Sequence, residues 1–376
     1  MTRLKALPIA LLSVSAFGAD TTLPNRENVV VHEWGTFTSV ADAEGGPVMW
    51  ASLTGPGDLP CFVIRRGGPY VKSMPALIRM ETPVLYFYPD RAMTISARVD
   101  FPQGLVTEWY PKSSVPPDRG IEWSKVELRP GENPELPTSD GPSHYFAARE
   151  TDSAPLRASG QWEKLLFYRG VGNFPPPVQP KFSASGQVEI RNTSRDALPL
   201  VMLFENHQGK IGYRVARGVT GKITLDSPEL SADAVEVHQK LTAALEESGL
   251  YGKEARAMVE TWKDSWFEEG MRVIYILPRS VVEAVLPLTI SPAPAAVSRV
   301  FVGRVEMLSP HVRETIERSV TQGDVAALAR WGRFLGPFEL AMRPTSNAVR
   351  SQAGQSVLSR ANTKMLEDLK SGSCVQ

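Results

Sequence analysis

From Met93 to Phe101 apolar and polar side chains alternate without an error. A period of two puts alternate residues on opposite sides of an extended chain, so this stretch reads as a strand with one face on a core and one in water. Just before it, Val84 to Tyr88 is an unbroken apolar and aromatic run closed by Pro89-Asp90, which makes the two a predicted antiparallel hairpin. Further strands are expected at Val29 to His32, Phe62 to Arg65, Lys164 to Tyr168, Val188 to Asn192, Leu200 to Phe204, Gly212 to Val215 and Lys222 to Leu225. Many short strands punctuated by Pro and Gly point to an antiparallel sandwich or barrel rather than a βαβ array.

After Leu225 the pattern lengthens to that of a helix. Ser227-Pro228-Glu229 reads as a helix start, Val237, Leu241 and Leu245 share one face, and Gly249 supplies a stop. A second helix carries Met258, Val259, Trp262 and Trp266 at helical spacing, where core packing is the expected role of the tryptophans. Strands return at Met271 to Leu277 and Arg299 to Met307, with Gly303 as a candidate bulge. Ser309-Pro310 and Asp324 open two more helices, the second stopped by Gly336-Pro337. The expected class is therefore α+β. It has a predominantly antiparallel, β-sandwich-like core, a helical insertion at about 228–268 and C-terminal helices at about 310–342. These form one elaborate domain over 19–342, followed by a weakly ordered tail over 343–376 with room for one helix near Gln355 to Leu369.

Composition narrows the functional classes. With 41 Lys+Arg against 41 Asp+Glu in 376 residues, the chain has no net charge, which argues against nucleic acid or an anionic membrane as main partner. Met1 to Gly18 has a basic start, a short apolar run and small residues at Ala16 and Gly18, the pattern of a secretory signal peptide. That run is too short to span a bilayer, so no transmembrane anchor is expected after its removal. Cys61 and Cys374 are compatible with a disulfide between the tail and the N-terminal region, or with two free thiols. Seven prolines between Pro111 and Pro142 mark a long ordered excursion, with one strand at Ile121 to Leu128 and with Trp123 and Leu128 to bury.

The common nucleotide and hydrolase motifs are absent, and Gly170-Val171-Gly172 fails as a dinucleotide loop because Pro175 takes the third glycine position. Three glutamates stand in aromatic or rigid surroundings: Glu33 beside Trp34, Glu81 before Thr82-Pro83, and Glu108 before Trp109-Tyr110. Desolvation there would raise a carboxyl pKa and suit it to general acid catalysis, and two such groups about 5–9 Å apart would make a glycosidase-like pair. The plain alternative is that strand alternation sends them outward beside inward rings. His32, His144 and His207 are the candidate ligands of a single transition-metal ion, if the fold brings them together. Arg169, at the end of a strand that closes in Tyr168-Arg169 before Gly170-Val171-Gly172-Asn173, is a candidate clamp for an anionic group. With Trp34, Trp109, Tyr110 and Tyr168 it forms the candidate ligand-binding set.

Several strings, Val31 to Thr38, Met80 to Tyr88, Thr107 to Pro111, Leu166 to Gly170 and Val302 to Glu306, resemble an uncharacterised family of exported bacterial proteins. They spread over most of the chain, so the resemblance implies export to the periplasm or beyond and one shared architecture. It implies no reaction. Two functions are expected: a ligand- or glycan-binding exported protein, or a hydrolase built on two of the three glutamates or on a His/Glu metal site.

Overall fold

The structure is a computed structural model that describes residues 27–53, 59–67, 74–139 and 143–371. The signal-peptide pattern expected at 1–18 lies outside them. The strands in chain order are β1 (Glu27–Val40), β2 (Ile64–Arg65), β3 (Ile78–Pro89), β4 (Met93–Asp100), β5 (Gly104–Tyr110), β6 (Gly120–Leu128), β7 (Leu156–Ala158), β8 (Gln161–Glu163), β9 (Leu166–Gly172), β10 (Val178–Phe182), β11 (Val188–Asn192), β12 (Leu198–His207), β13 (Lys210–Val219) and β14 (Lys222–Leu225). Helices α1 (Ala234–Glu247) and α2 (Gly252–Trp266) follow, then β15 (Gly270–Ile276), α3 (Arg279–Val285), β16 (Leu288–Ser291) and β17 (Pro294–Met307). The chain closes with α4 (Pro310–Gln322), α5 (Val325–Ala329), α6 (Leu335–Met342), α7 (Asn347–Arg350) and α8 (Gln352–Ser371).

Nine strands form the central sheet in the order β13-β12-β15-β17-β1-β3-β9-β5-β2, antiparallel throughout except where β1 runs parallel to β17. One face packs against two smaller sheets, β16-β4-β6-β7-β8 and β10-β11-β14. Val31, Phe87, Phe301 and Tyr275 on the large sheet meet Ala97, Val99, Trp123, Leu128 and Ile190 there, which is the sandwich core. The other face carries α1, α2 and the short turn of helix His144–Arg149, with Trp34, Tyr86, Phe204 and Ile274 against Val237, Leu241, Met258 and Trp262. A third cluster joins Val40 and Trp50 to α4, α5, α6 and α8. The α+β class with a mostly antiparallel core is thus as the periodicity dictates, and the sheets stay open rather than closing into a barrel.

The differences have local causes. The insertion begins at Ala234 rather than near Pro228, because Asp233 is the residue whose side chain accepts the Val235 N–H and caps the helix. Gly336-Pro337 does not stop a helix but lies in the first turn of α6, where proline's missing N–H would have no partner anyway. Gly303 marks no bulge: its register with Tyr275 and Phe37 is regular, and a Cβ there would stand 2.0 Å from Tyr275 Cζ. The glycine makes room for the ring. The stretch after Arg343, expected as a weakly ordered tail over 343–376, is helical through Ser371, with Val349, Leu358 and Ala361 buried in the third cluster. Cys61 is disulfide-bonded; Cys374, the other cysteine of the chain, lies outside the described residues.

Two irregularities decide which side chains face the helices. The register of β3 slips between Met80 and Val84, with Thr82 at φ 49°, and that of β5 slips between Val106 and Glu108. An extra residue in a strand swaps the faces of everything beyond it. Met80 and Leu85 therefore both face the sandwich, while Arg79, Glu81 and Glu108 are turned to the helix side.

Candidate functional site

Alternation along β1 sends Val31 and Glu33 into the sandwich side and Trp34 to the helix side. Glu33 is fully buried. Tyr168 on β9 donates its hydroxyl to Glu33 Oε1 at 2.5 Å, and Arg299 on β17 donates Nε to Glu33 Oε2 at 2.5 Å. The parallel register places Arg299 directly beside Glu33. Burial, and then the Glu33 charge, push the Tyr168 phenol well above its usual range, so it stays a donor. Burial alone would lower the Arg299 pKa, but Glu33 and Tyr168 outweigh it and raise it.

Arg299 also lines open space. β15 pairs with β17 only from Ile276↔Val302 onward, although β17 begins at Pro294. Beyond the end of β15 a notch opens between β12 and β17. It holds a cavity of about 440 Å³ lined by Leu200, Arg217, Glu247, Ser298, Arg299 and others, and a neighbouring one of about 480 Å³ that shares Arg279, Val297 and Arg299. These volumes are of ligand size. Arg217 pairs with Glu247 and Arg279 with Glu283, so the charges of the lining balance. One polar atom is left over: Arg299 Nη2 is buried with no hydrogen-bond partner. A buried donor without an acceptor costs about 1–3 kcal/mol, which a bound oxygen would recover.

On the helix side of the same strands, His32 Nδ1 lies 2.7 Å from Glu254 Oε2. Tyr88 OH donates to Glu254 Oε1 at 2.6 Å, and the Tyr251 backbone N–H donates to Glu254 Oε2 at 2.8 Å. The imidazole packs beside two aromatics that also touch each other, 4.3 Å from the Tyr251 ring and edge-on to Tyr88 at 5.4 Å.

Glu81 and Glu108 occupy a different place. Thr38 and Arg333 both hydrogen-bond Glu81, at 2.6 Å each, while Arg79 and Thr107 hydrogen-bond Glu108. Burial would raise both carboxyl pKa values. Arg333 and Arg169 with Thr38 reverse this at Glu81 and hold it at about 2, and Arg79 and Arg169 lower Glu108. The expectation of raised, acid-type carboxyls from aromatic neighbours is thus overturned for these two, because arginines rather than rings set the local field. Glu33 stands on the opposite face of the sheet and pairs with neither.

The expected metal set does not converge. His32 is engaged by Glu254, His144 sits at the start of the short helical turn, and His207 stacks on His311 at 4.6 Å with Glu269 beside it. Among the described residues no group of three His, Cys, Asp or Glu is arranged to hold a metal ion. Nor do the aromatics form a surface: Trp34, Trp109, Tyr110 and Tyr168 are all buried and fill the two cores. Arg169 is likewise buried, among the charges around Glu81 and Glu108 rather than at a strand end in solvent.

The residues sequence reasoning missed are Arg299, Ser298 and Glu254. Arg299 carried a signal, since it shares the inward parity of Val297 and Phe301. A charge in that register needs a buried partner, and Glu33 is it. Glu254 looked like any early-helix glutamate, and nothing in the sequence ties it to His32, 222 residues away.

No family model matches the chain, and no curated protein does. Among solved structures the chain is similar to the yeast delta-COP-I mu-homology domain, at 8% identity and a TM-score of 0.31 over 76% of this chain and 98% of that one. A likeness that slight carries no argument about fold or function.

Proposed function

We propose that the protein is an exported binder of small hydroxyl-rich ligands, saccharides foremost, which it holds in the notch between β12 and β17. Export rests on the leader pattern of Met1 to Gly18. The observation that carries the binding reading is Arg299 Nη2, a buried donor without an acceptor on a residue that lines both cavities. Its Nε is locked by Glu33, so the guanidinium is already oriented when a ligand arrives. Balanced charges around the cavity favour a neutral polar ligand over a strong anion.

A glycosidase built on the three glutamates is not favoured. Glu33 is neutralised by Arg299 on one face, and arginines keep the other two anionic on the opposite face. A thermal-shift screen of mono- and disaccharides against the mature chain tests the binding reading. Stabilisation by one or more neutral sugars that is lost in Arg299→Lys, which keeps a charge but not the planar fork, is the expected result. Equal shifts in both proteins would place the ligand elsewhere.

A further inference from the structure

We infer that Ser298, His32 and Glu254 form a nucleophile–base–carboxylate set that hydrolyses an acyl ester presented in the notch, an O-acylated saccharide being the substrate class. This rests on the saccharide-binding reading for the substrate, though not for the chemistry.

Three observations meet at these residues. The first is the held imidazole. Glu254 takes His32 Nδ1 with one oxygen and is fixed by Tyr88 OH and the Tyr251 N–H. Glu254 is fully buried and the His32 side chain 5% exposed, so the pair is oriented in a low-dielectric place. An Nδ1–carboxylate bond leaves Nε2 as the basic nitrogen, the arrangement by which a hydroxyl is activated. No described group hydrogen-bonds that Nε2.

The second is register. β1 lies between β3 and β17 in the sheet, and the strand partner of His32 on β17 is Ser298. Partners on neighbouring strands are about 5 Å apart with their side chains on the same face. Glu254 is shared with Tyr88 of β3, on one flank of β1, while Ser298 stands on the other. The third is access. Ser298 lines the cavity of about 440 Å³, and its Oγ donates to the Gly249 carbonyl at 2.9 Å, an exposed and weak tether.

In the reaction, Ser298 Oγ turns from Gly249 and attacks the ester carbonyl carbon while His32 Nε2 takes its proton. The carbon–alkoxy bond breaks and the sugar hydroxyl leaves with that proton. Water, deprotonated by His32, then attacks acyl-Ser298 and releases the carboxylic acid, regenerating the serine. The sum is ester plus water to acid plus alcohol.

The test is covalent. The full mature chain is treated with an alkyl fluorophosphonate, and its peptides are weighed. Phosphonylation with loss of fluoride on Ser298 is expected, absent from Ser298→Ala and slowed in His32→Gln. Acetate release from a per-O-acetylated monosaccharide should fall about a thousandfold in Ser298→Ala. A folded protein that forms no adduct at Ser298, or whose acetate release survives Ser298→Ala, overturns the assignment. Calorimetry of Ser298→Ala with the free sugar reads binding separately. Binding without an adduct sinks only the hydrolytic set, and an adduct without binding leaves an esterase whose substrate is not a sugar.

Discussion

Arg299 Nε and Glu33 Oε2 meet at 2.5 Å in the interior of the large sheet, on neighbouring parallel strands, with the Tyr168 hydroxyl on the second carboxylate oxygen. The pair joins β1 to β17, and Arg299, which lines the cavities of the notch, keeps Nη2 buried without a hydrogen-bond partner. On the proposed binding function, one side chain would serve both stability and binding.

Removing one partner should expose that link. Arg299→Met leaves Glu33 buried and uncompensated, and urea unfolding should show a loss of about 3–5 kcal/mol. The double variant Glu33→Gln/Arg299→Met removes the charge and should regain most of it. Equal losses in both would mean that the pair contributes packing rather than charge compensation.

Glu81 gives a pH dependence with a definite sign. Its folded pKa of about 2 lies below the ordinary carboxyl value, so its contribution is present above about pH 4.5 and is lost as pH falls through 2. The gap corresponds to about 3 kcal/mol. Chemical denaturation at pH 6 and pH 2.5 should show the native chain losing more stability than Glu81→Gln. Parallel curves for the two proteins would contradict this origin.

Much of the fold was legible because binary pattern reports burial directly. The Met93–Phe101 alternation became β4 on a sandwich face, and Trp262 and Trp266 became core. The site was not legible for a reason equally physical. Its members come together through strand order, β17 beside β1, and the candidate glutamates Glu81 and Glu108 are taken to another place by two register slips. A one-residue slip leaves no trace in a hydrophobic pattern read segment by segment. The aromatic flanks of the glutamates were informative about burial and silent about the arginines that share it.

Gly303 is a packing requirement. A methyl there would meet the Tyr275 ring at 2.0 Å, so Gly303→Ala should destabilise by about 1–3 kcal/mol without altering the far-ultraviolet spectrum. Stability unchanged within error would show that the ring moves aside freely.

The disulfide at Cys61 predicts that alkylation of the unreduced mature protein labels no thiol, and that reduction lowers the melting temperature. A bond from Cys61 to Cys374 would close a very long loop, worth about 5 kcal/mol before strain in the chain-entropy model. Intact-mass analysis showing two alkylated cysteines would contradict the bond.

The most direct measurement is a crystal structure of the mature protein grown with the saccharide that stabilises it most. Density is expected in the notch between β12 and β17, with a ligand oxygen within hydrogen-bond distance of Arg299 Nη2. A ligand bound elsewhere, with Arg299 Nη2 still unpartnered, would contradict the notch as the binding site.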